Sequence, residues 1–146
     1  MIYLSQFRFP EREQEYDFTM NQKRTCYDTF YPFLVLSKHR LRELDFEPVT
    51  ILYGGNGSGK TTALNVIAEK LGLERDTLYN RSNFFEEYTR LCSCQGNGSG
   101  QGGGQSRRVL RMPKGSRIIT SDDVFDFMLN LRSINDGIDR KREELF

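Results

Sequence analysis

The chain has 146 residues, about the length of one ordinary domain, with 28% charged residues and a formal net charge of +1. That length excludes a TIM barrel or a complete two-lobed nucleotide-driven machine, and the near-neutral balance argues against a surface coated in cations for nucleic acid. Apolar residues make up 37% and mean hydropathy is −0.61, a thin core for the length and a first sign of a part of something larger. No apolar run reaches the roughly 18 residues of a membrane-spanning helix, so no membrane segment is expected. Met1-Ile2-Tyr3-Leu4-Ser5-Gln6 lacks the basic and apolar regions of a signal peptide. Cys26, Cys92 and Cys94 are odd in number, and Cys92-x-Cys94 with His39 as the sole histidine does not suit zinc. Reduced thiols and a cytoplasmic location are expected.

In chain order, Ile2, Leu4, Phe7 and Phe9 ahead of Pro10 predict a first strand within residues 1–9. Residues 11–29 are charged and turn-rich with scattered aromatics, and predict a strand or hairpin. Phe33-Leu34-Val35-Leu36 predicts another short strand, and Leu41, Leu44 and Phe46 a connector. Val49-Thr50-Ile51-Leu52-Tyr53 predicts a strand buried on both faces of a parallel sheet. It runs into a glycine loop, after which Leu64, Ile67, Ala68 and Leu71 mark one face of a helix that Gly72 stops. Asn83 and Glu86 have capping-box spacing for a helix to about Leu91.

Residues 95–105 hold six of the thirteen glycines and predict a flexible tract, either a native loop or an inserted linker. Arg107, Arg108, Arg111, Lys114 and Arg117 follow with no acid among residues 105–120. Arg117-Ile118-Ile119-Thr120 predicts a short strand. Thr120 and Asp123 again have capping-box spacing, and Val124, Phe127, Met128, Leu131, Ile134 and Ile138 fall at helical intervals. A helix is expected from about Ser121 to at least Ile134, with a break at Asn135-Asp136-Gly137. The organisation expected is a lobe over 1–94 built around the glycine loop, a glycine-rich flexible loop or linker over 95–106, and a basic arm with a helical segment over 107–146.

The chemistry lies in Gly54-Gly55-Asn56-Gly57-Ser58-Gly59-Lys60-Thr61-Thr62, which fits the phosphate-loop pattern G-x-x-x-x-G-K-[ST]. Glycines let successive backbone N–H groups point inward at phosphates. Lys60 reaches the β- and γ-phosphates as a mobile charge and is the catalytic candidate. Thr61 offers its hydroxyl to Mg²⁺. All nine residues, Gly54 to Thr62, are candidates for binding nucleotide, and the helix that follows aims its N-terminal dipole at the anion.

The stretch from Asp45 to Leu71 resembles the N-terminal lobe of ABC-type ATPases, and more narrowly the small AAA-family ATPases related to ABC and SMC heads. The form Gly-x-Asn-Gly-x-Gly-Lys-Thr at Gly54–Thr61 carries the resemblance, and the tail from Ile119 resembles the helical segment that follows in such proteins. The resemblance implies an α/β fold, the ABC-type P-loop NTPase lobe, with a mixed sheet and a Walker A helix. It implies ATP and Mg²⁺ as ligands, and a homodimer or partner ATPase head that closes over the nucleotide. A hydrolysing site would also need a Walker B carboxylate. Asp122 and Asp123 are the nearest acids, but they suit the first turn of a helix better. Gly103-Gly104-Gln105 imitates the ABC signature loosely, as a glycine tract readily does. Gln95 is the first glutamine after Lys60, the place where the resembled family has a metal-touching residue, although a solvated loop explains it as well. Tyr27 and Tyr31 stand where an aromatic could stack on adenine or simply pack in the core.

The function expected is therefore binding of Mg-ATP through the Walker A loop, with ATP hydrolysis in the complete protein. The alternatives are a P-loop phosphotransferase, with residues 107–117 as an arginine-bearing lid, and a truncated nucleotide-binding fragment without catalysis. Nucleic acid is a weaker partner expectation, resting on the cations of 107–117, which lack interleaved aromatics.

Overall fold

The computed structural model describes residues 2–23, 29–96 and 110–145. They form a small α/β protein with a three-stranded antiparallel sheet and four helices. The strands are β1 (Gln6–Arg8), β2 (Glu43–Asp45) and β3 (Ser93–Gln95), in the order β2-β1-β3. The helices are α1 (Arg12–Asn21), α2 (Lys60–Leu71), α3 (Phe85–Leu91) and α4 (Ser121–Glu144).

Alternation along β1 sets the register. Phe7 points into the core while Gln6 and Arg8 face outward. Phe7 pairs with Leu44 on one side and Cys94 on the other, so one face of the sheet is apolar. The outward face is tied by Gln6 Nε2 donating to Asp45 Oδ1 at 2.8 Å and by an exposed Arg8–Glu43 ion pair at 3.2 Å. Against the apolar face pack Phe9, Phe33, Leu36, Ala63, Val66, Ile67, Phe84, Phe85, Tyr88 and Cys92. Aromatic pairs give this cluster its bulk, with Phe18 stacked on Phe33 at 4.3 Å and Phe33 edge-on to Tyr88 at 4.9 Å. The first predicted strand thus forms over Gln6–Arg8, while β3 falls inside the cysteine segment, where no strand was expected.

Several expectations are corrected. Residues 12–21 form helix α1 rather than a hairpin. Straight-chain Arg, Glu and Gln favour the helix, and Glu11 N donates to Gln14 Oε1 at 2.9 Å in a capping box. Phe33–Leu36 lies in a series of turns, with Leu34 at φ 64° and Arg40 at φ 58°. Phe33 and Leu36 fill the core from a turn, which needs no ladder partner, while Leu34 is exposed. The mixed sheet is replaced by a purely antiparallel one. The parallel strand at Val49–Tyr53 is an unpaired segment with Val49 78%, Ile51 84% and Tyr53 100% exposed. A strand exists only with a neighbour to complete its hydrogen bonds, and no described segment pairs with this one.

Arg117 makes a parallel bridge with Glu74, with Glu74 N donating to Ser116 O and Ile118 N to Glu74 O, both at 3.0 Å. The predicted strand at Arg117–Thr120 is reduced to that bridge. α4 then runs unbroken through Gly137 to Glu144, since one mid-helix glycine costs only about 1 kcal/mol. Its apolar stripe is exposed along its length, from Val124 through Phe127 and Leu131 to Ile138, and the helix buries no residue.

The capping box predicted at Thr120 is present. Asp123 Oδ2 accepts from Thr120 N at 2.6 Å and from Thr120 Oγ1 at 2.7 Å. These bonds hold the Asp123 carboxyl down to about 2, below its ordinary 3.8. A carboxyl depressed on folding stabilises above its unfolded value, and that contribution is lost as pH falls from 3.8 through about 2. An NMR titration of Asp123 is expected to show a midpoint near 2 that moves part-way back toward 3.8 in Thr120→Ala. An ordinary midpoint in the native chain would refute the cap.

Candidate functional site

The loop from Gly54 to Gly59 leads directly into α2. Gly59 is the N-cap, at φ 86°, and Gly57 lies at φ 78°. Both values belong to the left-handed region that glycine enters at no steric cost. Gly59 also meets a steric limit, because a Cβ there would stand 3.0 Å from Leu36 Cδ2 and 3.7 Å from Val35 Cγ1. The turn that carries Leu36 is therefore the floor on which the loop and the first turn of α2 rest. Ala63 N donates to Gly59 O at 2.8 Å and Ser58 N to Gly55 O at 3.3 Å, which closes the loop onto the helix.

Lys60 turns back over this loop. Its ammonium donates to Gly54 O, to Gly55 O at 2.8 Å and to Ser58 Oγ at 3.1 Å. All three of its donors are thus spent on the apex of the loop. Gly55, Asn56 and Gly57 are exposed, and Gly54, Ser58 and Gly59 are half-buried. Thr61 is exposed on the first turn of α2, its hydroxyl free to meet a metal held by phosphate oxygens. Thr62 differs from the expectation. It is buried, and its Oγ1 accepts from the Tyr31 hydroxyl at 3.3 Å. Thr62 therefore anchors the helix, while Gly54 through Thr61 form the open part of the site.

The buried face of α2 includes Ile67 and Ala68 of the expected stripe, with Leu71 packed against the core, and adds Ala63 and Val66, whereas Leu64 is 43% exposed. α2 packs on α3 and on the phenylalanine cluster, and this turns Leu64 outward. α3 starts one residue later than the Asn83 cap implied, with Phe84 at the N-cap position. The half-buried Tyr31 ring lies 6.0 Å from Phe85, beside the root of α2. Sequence position alone could not choose between adenine and core for Tyr31, and the structure places it in packing with a hydroxyl on Thr62.

The other expected residues fall elsewhere. Gln95 ends β3, and its carbonyl accepts from Ser5 N at 2.8 Å and Ser5 Oγ at 3.1 Å. Asp123 is engaged in the α4 cap, and no strand leads into it. Arg117 is held bidentately by Asp76 at 2.9 and 3.0 Å, which removes one cation from the basic stretch. Tyr27, Arg107, Arg108 and the Gly103-Gly104-Gln105 motif lie outside the described residues. Among the described residues, no group of three or more His, Cys, Asp or Glu side chains is arranged to hold a metal ion.

Behind the floor sits Glu15, fully buried. Its Oε2 accepts from Leu34 N at 3.1 Å and from Ser37 Oγ. Glu15 Oε1 and the Tyr88 hydroxyl are both buried and short of a full hydrogen bond, although each lies within electrostatic reach of the other. Burial pushes the Glu15 carboxyl up, against the lowering effect of its bonds from Ser37 and Leu34 and of the nearby Tyr88 hydroxyl, and burial likewise pushes the Tyr88 phenol up. Nothing in the local sequence marks Glu15, since it stands among other acids on a charged helix.

No protein-family model matches this chain, and neither the curated proteins nor the solved structures contain a match to it.

Proposed function

We propose that this chain is the ATP-binding lobe of an ABC-type ATPase and holds Mg-ATP at Gly54–Thr61, with Thr62 anchoring the helix behind. The observation that carries the reading is the Lys60 ammonium gathered over the loop by Gly54 O, Gly55 O and Ser58 Oγ at the N-terminus of a 12-residue helix. On arrival of a triphosphate, the lysine exchanges these neutral acceptors for charged phosphate oxygens. The loop amides and the start of α2 add their positive ends. Thr61 is the residue placed to hold Mg²⁺, which supplies charge neutralisation between the β- and γ-phosphates. In the complete protein a Walker B carboxylate would complete the hydrolytic site, and a second ATPase head would close over it.

The phosphotransferase reading is weaker because Arg117, one of its lid cations, is bound to Asp76. A calorimetric titration with Mg-ATP tests the proposal, with Mg²⁺ plus adenosine as the control that lacks phosphates. Binding of Mg-ATP and none of adenosine is expected, together with slow or undetectable phosphate release. Equal affinity for adenosine and Mg-ATP would overturn the phosphate-loop reading.

A further inference from the structure

A second group of cations lines cavities to which no residue of the phosphate loop contributes. Two adjoining cavities of about 240 and 390 Å³ share Arg12, Ser37 and Arg40. Arg42 lines the first and Lys38 the second, and no acid lines either. Arg12, Lys38, Arg40 and Arg42 are all exposed, and none makes an ion pair or a side-chain hydrogen bond with a described residue. Arg12 and Arg42 also line a neighbouring cavity with Glu11, Glu13, Tyr16 and Asp17, whereas Lys38 and Arg40 do not.

Their mounting is firm. Arg12 opens α1. Arg42 O accepts from Phe9 N at 2.8 Å beside β2. Arg40 is held at φ 58° by a turn in which Arg40 N donates to Ser37 O at 3.0 Å and Leu41 N to Leu36 O at 3.0 Å. A non-glycine residue kept in the left-handed region costs about 1 kcal/mol or more, and such strain gathers at functional sites. The turn is fastened from behind by Glu15, through Leu34 N and Ser37 Oγ.

We propose that this groove is an anion site, separate from the phosphate loop, that takes a ligand of several linked phosphates. Guanidinium forks match phosphate oxygens bidentately, and three arginines with one lysine can engage three or four phosphates. None of the residues lining the two cavities is aromatic, so the site grips the phosphate chain and leaves bases unread. Two sources carry this chemistry, a free polyphosphate and the backbone of a nucleic acid.

The test uses the whole chain carrying Lys60→Ala, which silences the phosphate loop. It is titrated in parallel with inorganic tripolyphosphate and with a fluorescein-labelled oligothymidylate. Binding of at least one ligand at low salt is expected, with log K falling by about 3 for each unit of log salt for the oligonucleotide. Adding Arg12→Glu and Lys38→Glu, both exposed and outside the core, is expected to weaken binding more than 10-fold with an unchanged circular dichroism spectrum. Arg40→Gly, which relieves the backbone strain while removing the charge, is expected to weaken it as well. Preference for tripolyphosphate or oligothymidylate identifies the source. No binding of either ligand by Lys60→Ala would overturn the proposal, and so would unchanged affinity in the folded Arg12→Glu, Lys38→Glu variant. A Mg-ATP titration of the Arg12→Glu, Lys38→Glu chain with Lys60 intact reports on the phosphate loop alone, so either site can fail without the other.

Discussion

Replacing Lys60 with alanine is expected to weaken Mg-ATP binding about 100-fold and to leave the fold intact. The ammonium has three donors, and in the free chain they go to two loop carbonyls and the Ser58 hydroxyl. With nucleotide bound they face charged oxygens. Hydrogen bonds to charged groups are worth about 1.5–3 kcal/mol, and 2.7 kcal/mol is about 100-fold in affinity. The cost to folding is small, because Gly54 is half-buried and Gly55 exposed, so water can reach the carbonyls that Lys60 leaves. Lys60→Arg is also expected to bind poorly, since a planar fork cannot reproduce the compact three-point contact. Calorimetry with each variant checks the affinity, and thermal melts check the fold. Wild-type affinity in a folded Lys60→Ala protein would mean that nucleotide, if bound, lies elsewhere.

The second large effect is on stability. Glu15→Ala is expected to cost about 3 kcal/mol, because it opens a cavity in the core and strands the Leu34 amide and the Ser37 hydroxyl. Glu15→Gln separates shape from charge. Its amide oxygen can accept both bonds, and its NH₂ can donate toward the unpartnered Tyr88 hydroxyl. The pH dependence has a definite sign. The native carboxyl titrates above its ordinary 4.5, chiefly through burial. Below 4.5 both native and unfolded chains hold the proton, and the cluster contributes fully. As pH rises beyond 4.5 the unfolded chain releases it first, so stability falls until the native value is passed. Glu15→Gln removes that slope. Urea melts at several pH values are expected to show the variant gaining on the wild type as pH rises. A parallel pair of curves would show that Glu15 titrates normally.

This cluster also links the two candidate sites. Glu15 holds the turn that bears Leu34, Leu36 and Ser37. On one side Leu36 supports Gly59, and on the other Ser37 lines the cationic groove. A loosened turn would therefore disturb both at once.

Local chemistry was legible wherever short-range rules decide the outcome. The phosphate motif announced a glycine loop, a lysine and a following helix, and α2 starts at Lys60 as the pattern demands. Thr120 and Asp123 announced a cap three residues apart, and Gly72 a helix stop in the left-handed region. Each of these depends on backbone geometry within a single turn of chain.

The sequence by itself therefore determined where α2 and α4 begin, where the phosphate loop needs glycine, and which lysine stands over it. Only the tertiary structure decided what those elements lean on. Val49–Tyr53 has the composition of a buried strand, yet strand pairing is a property of two segments, and no described segment pairs with it. Phe33–Leu36 is similarly apolar and lies in turns instead, with Phe33 and Leu36 buried. Glu15 looks like any surface acid until a turn nineteen residues later meets it through Leu34. Arg12 and Arg40 become neighbours through that same closure. Period and spacing describe a chain's own helix or strand, whereas burial and charge proximity follow from which distant segments the core brings together.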